Sequence, residues 1–186
     1  RAHARPLSTF TRKNLGFLFV FWGNAYDRSK TLAAAEKARS RGRVRKAVRR
    51  NGARLVVASS RPSTLDGAAS AALRFAPGAA EAALGALAAA LGSSRAGGSL
   101  DDLARGARAQ QGFIPGRTNG HRASGAEAVA AVADVLRGAG DVVILWGERV
   151  IAGERGVDAG QALLAVAEAL GVAGKAESGL IGIPAE

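Results

Sequence analysis

The chain has 186 residues, a formal net charge of +11, no Cys and only two His. That length predicts one domain, able to bury roughly two-thirds of the surface its unfolded chain exposes. The absence of Cys excludes disulfides, thiolate zinc sites and ordinary Cys-held iron–sulfur clusters. His3 and His121 lie far apart in sequence and are read as surface residues, with no metal site of their own. The apolar content comes mainly from Ala, Leu and Val, a composition that suits small-residue helices packed closely on a sheet.

The positive charge is local. Residues 1–54 carry 15 Lys or Arg against two acids, Asp27 and Glu36, whereas the remainder carries 11 Lys or Arg against 13 acids. This describes a basic segment attached to a near-neutral domain, which does not support a chain-wide phosphate-binding surface. Six of the nine aromatics (Phe10, Phe17, Phe19, Phe21, Trp22 and Tyr26) also crowd into residues 1–40. This block is kept apart as an unassigned basic and aromatic segment, non-native or frame-shifted relative to the rest of the chain. Both ends of the chain, at Arg1 and Glu186, are expected to be truncations of a longer polypeptide.

Within that first block the run LGFLFVFW, Leu15 to Trp22, is as long as a signal-peptide core, but no clean small-x-small cleavage site succeeds it. The alternatives are a buried strand or a stretch foreign to the fold. Leu32 to Arg41 could form a helix without a clear apolar stripe. A clearer helix comes at 44–50, where Val44, Ala47 and Val48 share one face and Asn51-Gly52 ends it.

Leu55 to Ala58, LVVA, predicts a strand whose lack of alternation means that both faces are covered. A helix is predicted over 79–91, started by Pro77-Gly78 and presenting Leu84, Leu87 and Leu91 inward. A short third helix is expected after Ser99, with Leu100 and Leu103 facing inward. The turn-rich GFIPGRTNG, Gly112 to Gly120, predicts an exposed loop.

Ser124 is a candidate cap for a helix with Val129, Val132, Val135 and Leu136 inward, ended by Gly138-Ala139-Gly140. Val142 to Trp146 is the clearest strand, stopped by Gly147. The last helix is predicted over 158–170, with Leu163, Leu164, Ala167 and Leu170 inward and Gly171 at its end. Helices alternating with non-alternating apolar strands predict an α/β layered fold with parallel strands and helices on both faces.

Ligands of such sheets sit beyond the carboxyl ends of the strands. Two such ends are legible: Ser59-Ser60-Arg61-Pro62-Ser63-Thr64 after the first predicted strand, and Gly147-Glu148-Arg149 with Gly153-Glu154-Arg155-Gly156 after the second. Hydroxyls beside an Arg suit a phosphate or a nucleotide edge, although SSRPST by itself reads as a capped turn. The glycines of the second end read as turn formers. Neither GxGxxG nor GxxxxGK[ST] occurs, and no base is positioned for a Ser nucleophile, so no catalytic residue is assigned.

Two long stretches go further than a generic layered fold. Arg43 to Leu91 resembles the molybdopterin-oxidoreductase pattern of helix, GARLVV strand, Arg-containing loop and PGxxxAxxxAL helix. Asp141 to Glu186 is similar to a later strand–Gly–helix–Gly segment of the same domain. RPSTLDG, RFAPG, WGER and GLIGIPAE look closest to the molybdopterin-oxidoreductase-like subunit of NADH-quinone oxidoreductases. The resemblance implies that residues 41–186 form a partial molybdopterin-oxidoreductase-like, Rossmann-like domain. It also implies a peripheral-arm subunit whose partners are the other subunits of the complex. The complex would lie on the cytoplasmic side of the cell membrane, with no nucleic-acid partner and only indirect membrane contact.

In pterin-binding relatives, Asp-Pro-Arg and the hydroxyls after it contact the dinucleotide end of the cofactor. Here Ser59 and Ser60 replace Asp-Pro, Arg61 keeps its place, Ser63 stands for the first hydroxyl and Leu65 occupies the second. Ser59, Arg61 and Ser63 are therefore the candidate residues of a degenerate cofactor loop. The implied segment is a scaffold without a cofactor or metal, while flavin and iron–sulfur clusters belong elsewhere in the complex. The competing expectations are a genuine molybdopterin-dependent oxidoreductase fragment and a nucleic-acid-binding protein using the basic stretch from Arg39 to Arg54.

Overall fold

The structure, a computed structural model, describes residues 17–22, 42, 44–50, 52–93, 116–118, 121–123, 125–152 and 154–183, with the backbone alone for 17–22, 116–118 and 121–123. In chain order the elements are β1 (Phe17–Trp22), α1 (44–50), β2 (Arg54–Ser59), β3 (Ala71–Arg74), α2 (Ala80–Ala90), β4 (Gly116–Thr118), β5 (His121–Ala123), α3 (Gly125–Arg137), β6 (Val142–Gly147), α4 (Gly156–Ala169) and β7 (Gly179–Ile183). The fold is α/β. The helix expected after Ser99, the cap at Ser124 and the helix at 32–41 lie outside the described residues.

All seven strands join one sheet in the order β5-β4-β3-β2-β1-β6-β7. The pairs from β3 through β7 are parallel, with Val20 of β1 opposite Val57 of β2 and also opposite Leu145 of β6. β4 and β5 extend the β3 edge as an antiparallel pair. The apolar run in the first block thus supplies the middle one of the five parallel strands, β3-β2-β1-β6-β7. The loop expected from Gly112 to Gly120 contains β4 instead, because Thr118 pairs with Ala71 and Arg117 with Arg122. Turn-rich composition does not prevent a three-residue strand when a hairpin partner comes directly after it.

Starting from β1, the chain steps outward in one direction to β2 and β3, then returns across the sheet and steps the other way to β6 and β7. Crossovers of one hand that step in opposite directions must pass over opposite faces. The packing agrees. Val44 of α1 and Leu65 of the β2–β3 connection cover Leu55, Val57, Val143 and Leu145 on one face. On the other face, α2, α3 and α4 pack over Val56, Ala58, Leu73, Val142 and Ile144. Alternate residues of the same strand feed the two cores, which is why these strands read as unbroken apolar runs.

Helix α2 lies deepest. Every residue from Ala82 to Ala88 is buried, so the Leu84–Leu87 stripe does not have a wet face opposite it. Helices apolar all round are buried all round, and Ala and Gly85 let neighbours approach the helix axis. Helix α3 is amphipathic, burying Ala128, Val129, Val132, Ala133 and Leu136, while Val135 is only half-buried.

In α4 the inward line is Ala159, Leu163, Val166 and Ala167. Leu164, expected to face inward, is instead 56% exposed. It stands about 100° from Leu163 around the helix and shares the outer line with Val157.

The chain reversals use the positions the sequence marks. Gly52 and Gly171, after α1 and α4, have φ of +68° and +64°, the left-handed conformation in which a side chain meets its own backbone. Lys175 Nζ ties the α4 end to the sheet by donating to the carbonyls of Leu170 (3.1 Å) and Gly140 (2.7 Å). Trp146 of β6 lies opposite Gly182 of β7, where a Cβ would come within 3.2 Å of its ring. Among the described residues no helix is long and apolar enough to cross a membrane.

Candidate functional site

β2 and β3 are parallel neighbours joined by residues 60–70, which leave and re-enter the sheet through a short turn at Asp66–Ala68. The three candidate residues lie at the start of this connection and have different fates. Ser59, the last residue of β2, is buried. Its Oγ donates to the carbonyl of Arg61 at 2.8 Å and accepts from Arg74 Nη1 at 2.5 Å. A hydroxyl has one proton to give, and Ser59 gives it within its own loop.

Ser63 is half-buried and its Oγ accepts the Leu65 N–H at 3.1 Å. The loop is thereby turned back towards the sheet, and Leu65 drops into the core beside Leu55 and Val57. Arg61 is exposed, and beyond its carbonyl, which accepts from Ser59, its guanidinium makes no hydrogen bond or ion pair among the described residues. The structure therefore groups the three along one loop but does not converge their side chains on a shared ligand position.

Two residues that the sequence reading missed hold the loop together. Arg74, the last residue of β3, is buried and its guanidinium reaches both Ser59 Oγ and Asp66 Oδ2, the latter as an ion pair. Asp66 Oδ2 also accepts the Ser63 N–H at 2.8 Å. Buried charges persist where they are paired and hydrogen-bonded. The available signal was compositional: Asp66 is the only acid between Glu36 and Glu81, and Arg74 is the only cation between Arg61 and Arg95. One acid and one cation isolated in an apolar stretch must find each other if that stretch is buried.

Beside this loop, at the same carboxyl edge, a cleft of about 410 Å³ runs between the starts of α2 and α4. Ser60 and Phe75 line it from just beyond the ends of β2 and β3, Glu81 from α2, and Arg149 and Arg155 from the connection after β6. That connection contains a short turn at Glu148–Val150 before α4 begins. Gly156 is obligatory there, because a Cβ at this position would lie 1.8 Å from the Ile151 carbonyl oxygen.

The cleft's charges answer one another. Arg155 Nη1 lies 3.1 Å from Glu81 Oε2, although the pair lacks hydrogen-bond alignment and that oxygen is otherwise buried without a donor. The arrangement is an ion pair across two helix starts. It offers neither an aligned acid–base couple nor a nucleophile. Among the described residues no three His, Asp or Glu side chains converge as metal ligands.

No protein-family model and no curated protein matches the chain.

The loop's chemistry can be tested against the pterin dinucleotide that the sequence resemblance suggests. Such a group needs outward donors and acceptors around Arg61. The Ser59 hydroxyl is spent within the loop, Ser63 Oγ is turned onto the Leu65 N–H, Leu65 is part of the core, and Asp66 is turned onto Arg74. The residues present do not fit the group.

Proposed function

We propose that the chain is a scaffold segment of a respiratory NADH:quinone oxidoreductase, part of its molybdopterin-oxidoreductase-like peripheral-arm subunit. In this reading the domain has kept its architecture and given up its cofactor loop. The parallel strand order β3-β2-β1-β6-β7 supports a doubly wound, Rossmann-like domain, in which ligands are taken up beyond the carboxyl ends of the strands. The observation that carries the reading is the closure of the loop at that edge. Ser59 Oγ and the Asp66 carboxylate are both tied to Arg74, leaving Arg61 as the loop's lone outward cation among the described residues. A loop whose acid and strand-end hydroxyl are turned onto a buried arginine supports packing, and flavin and iron–sulfur chemistry would belong to other parts of the assembly.

The decisive experiment is affinity purification of the chain in its native polypeptide. Subunits bearing flavin and iron–sulfur clusters should co-purify, and metal analysis should find molybdenum and tungsten far below one per chain. Stoichiometric molybdenum or tungsten would overturn the reading in favour of a working molybdopterin oxidoreductase. Recovery without any respiratory partner would overturn it as well.

A further inference from the structure

The carboxylate of Asp66 sits where a ligand's anion would be expected. It is held by the Arg74 guanidinium and by the Ser63 backbone N–H at 2.8 Å, just beyond the carboxyl ends of β2 and β3. A planar guanidinium with a backbone N–H beside it is a donor set matched to carboxylate and phosphate oxygens. Arg74 is only 9% exposed and is anchored from its other nitrogen by Ser59 Oγ at 2.5 Å. Arg74 is thus held in place by its strand and by Ser59, independently of the Asp66 carboxylate, while the Ser63 N–H is presented by the turn that the Asp66 N–H closes on the Ser63 carbonyl at 3.1 Å.

The fit of the occupant is lopsided. Oδ2 receives both donors, while Oδ1 is buried with no hydrogen-bond partner. An oxygen desolvated without a partner offsets part of what the ion pair contributes. A free anion that keeps its outer oxygens in water would not carry that cost.

We propose that Arg74 and Ser63 N–H form an oxyanion subsite, and that Asp66 fills it in cis, its carboxylate standing in for a ligand's carboxylate or phosphate. The inference rests on the scaffold reading and deepens it by naming what closes the loop. An acid at position 66, rather than a loss of donors, keeps small anions out.

The test uses the full chain and follows its melting temperature in sodium formate, in sodium phosphate and in sodium chloride at matched ionic strength. Asp66→Ala removes the occupant, and Asp66→Asn keeps its shape while removing the charge. Asp66→Ala should melt roughly 3–5 °C higher in about 50 mM formate or phosphate than in chloride, because a ligand that binds only the folded state raises its stability, and Asp66→Asn, whose amide still fills the space, should respond less. Formate responding alone would define a carboxylate subsite, and phosphate responding alone a phosphate subsite; either result supports the proposal. The wild type should not respond, and adding Arg74→Met to either variant should abolish the response.

The proposal is overturned if neither variant responds more than the wild type or if the response survives loss of Arg74. It is equally overturned if both variants fail to fold in every anion. These outcomes are separate from the metal analysis. A native protein carrying molybdenum would defeat the scaffold reading while leaving an anion response in Asp66→Ala intact.

Discussion

The connection after β2 and the connection after β6 leave the sheet at the same edge, yet they are held by different forces. The first is polar and closed by charge: Arg74 at the end of a neighbouring strand gathers Asp66 and Ser59 beneath it. The second is closed by shape. Gly156 lies so near the Ile151 carbonyl that no side chain fits between them, and Ile151 Cγ2 lies 3.5 Å from where a Cβ on Gly160 would be. The charges of the second region, Glu81 and Arg155, meet across the cleft without hydrogen-bond alignment. Electrostatic closure spends polar groups that a ligand could use. Steric closure leaves the charges of its loop at the surface of an open cleft.

Substitutions can break each kind of closure, and the steric one should cost most. Gly156→Ala forces backbone apart and should destabilise the chain by about 3 kcal/mol, a cost typical of overpacking. The melting temperature should fall by roughly 6–12 °C for a chain of this size. A variant melting like the wild type would mean that the Ile151 turn is free to move, and the contrast between the loops would vanish.

Arg74→Leu tests the electrostatic closure. It strands the Asp66 carboxylate and removes the donor to Ser59 Oγ. Breaking a buried pair from one side typically costs about 3–5 kcal/mol. Because the Asp66 side chain is 26% exposed, water recovers part of this, and about 2 kcal/mol is expected by chemical denaturation. A denaturation midpoint equal to the wild type's would show that the network does not hold the loop.

The smallest effect should come from Glu81→Gln. Arg155 is 48% exposed at its side chain, and half-exposed pairs contribute little, so a change under about 0.5 kcal/mol is expected. A loss larger than that of Arg74→Leu would reverse the comparison and make the cleft pair the stronger of the two.

Much of the frame was legible in the residue pattern. The runs LVVA and VVILW announced strands covered on both faces, and β2 and β6 contain them. Gly52 and Gly171 announced helix ends, and both adopt positive φ. The short strands were harder to read. Ala71–Arg74 is alanine-rich and only four residues long, so it lacks both β-branched residues and a readable period. Gly179–Ile183 contains two glycines, and one of them is there to clear the ring of Trp146. Leu164 was misplaced because Leu163 beside it is buried, and adjacent leucines leave the choice of inward line to the packing partners.

The candidate site was legible only as a location. SSRPST marked the carboxyl end of a strand, and Ser59, Arg61 and Ser63 do lie there. What each does depends on Arg74 and Asp66, which approach from the next strand and from the turn between them. Position along the chain does not reveal such a pairing, because it is created by the register of β2 against β3, with Ser59 opposite Arg74.

By itself the sequence determined the layered character of the domain, since apolar periodicity and glycine placement act over a few residues. It also determined that no Cys takes part in any chemistry here. The tertiary structure alone decided that the aromatic run Phe17–Trp22 is the middle one of the five parallel strands and that the loop after β2 closes on itself. Both depend on which strands become neighbours. Hydrogen-bond ladders and a buried ion pair join residues distant in the chain, and local preferences carry no information about which distant partner will arrive.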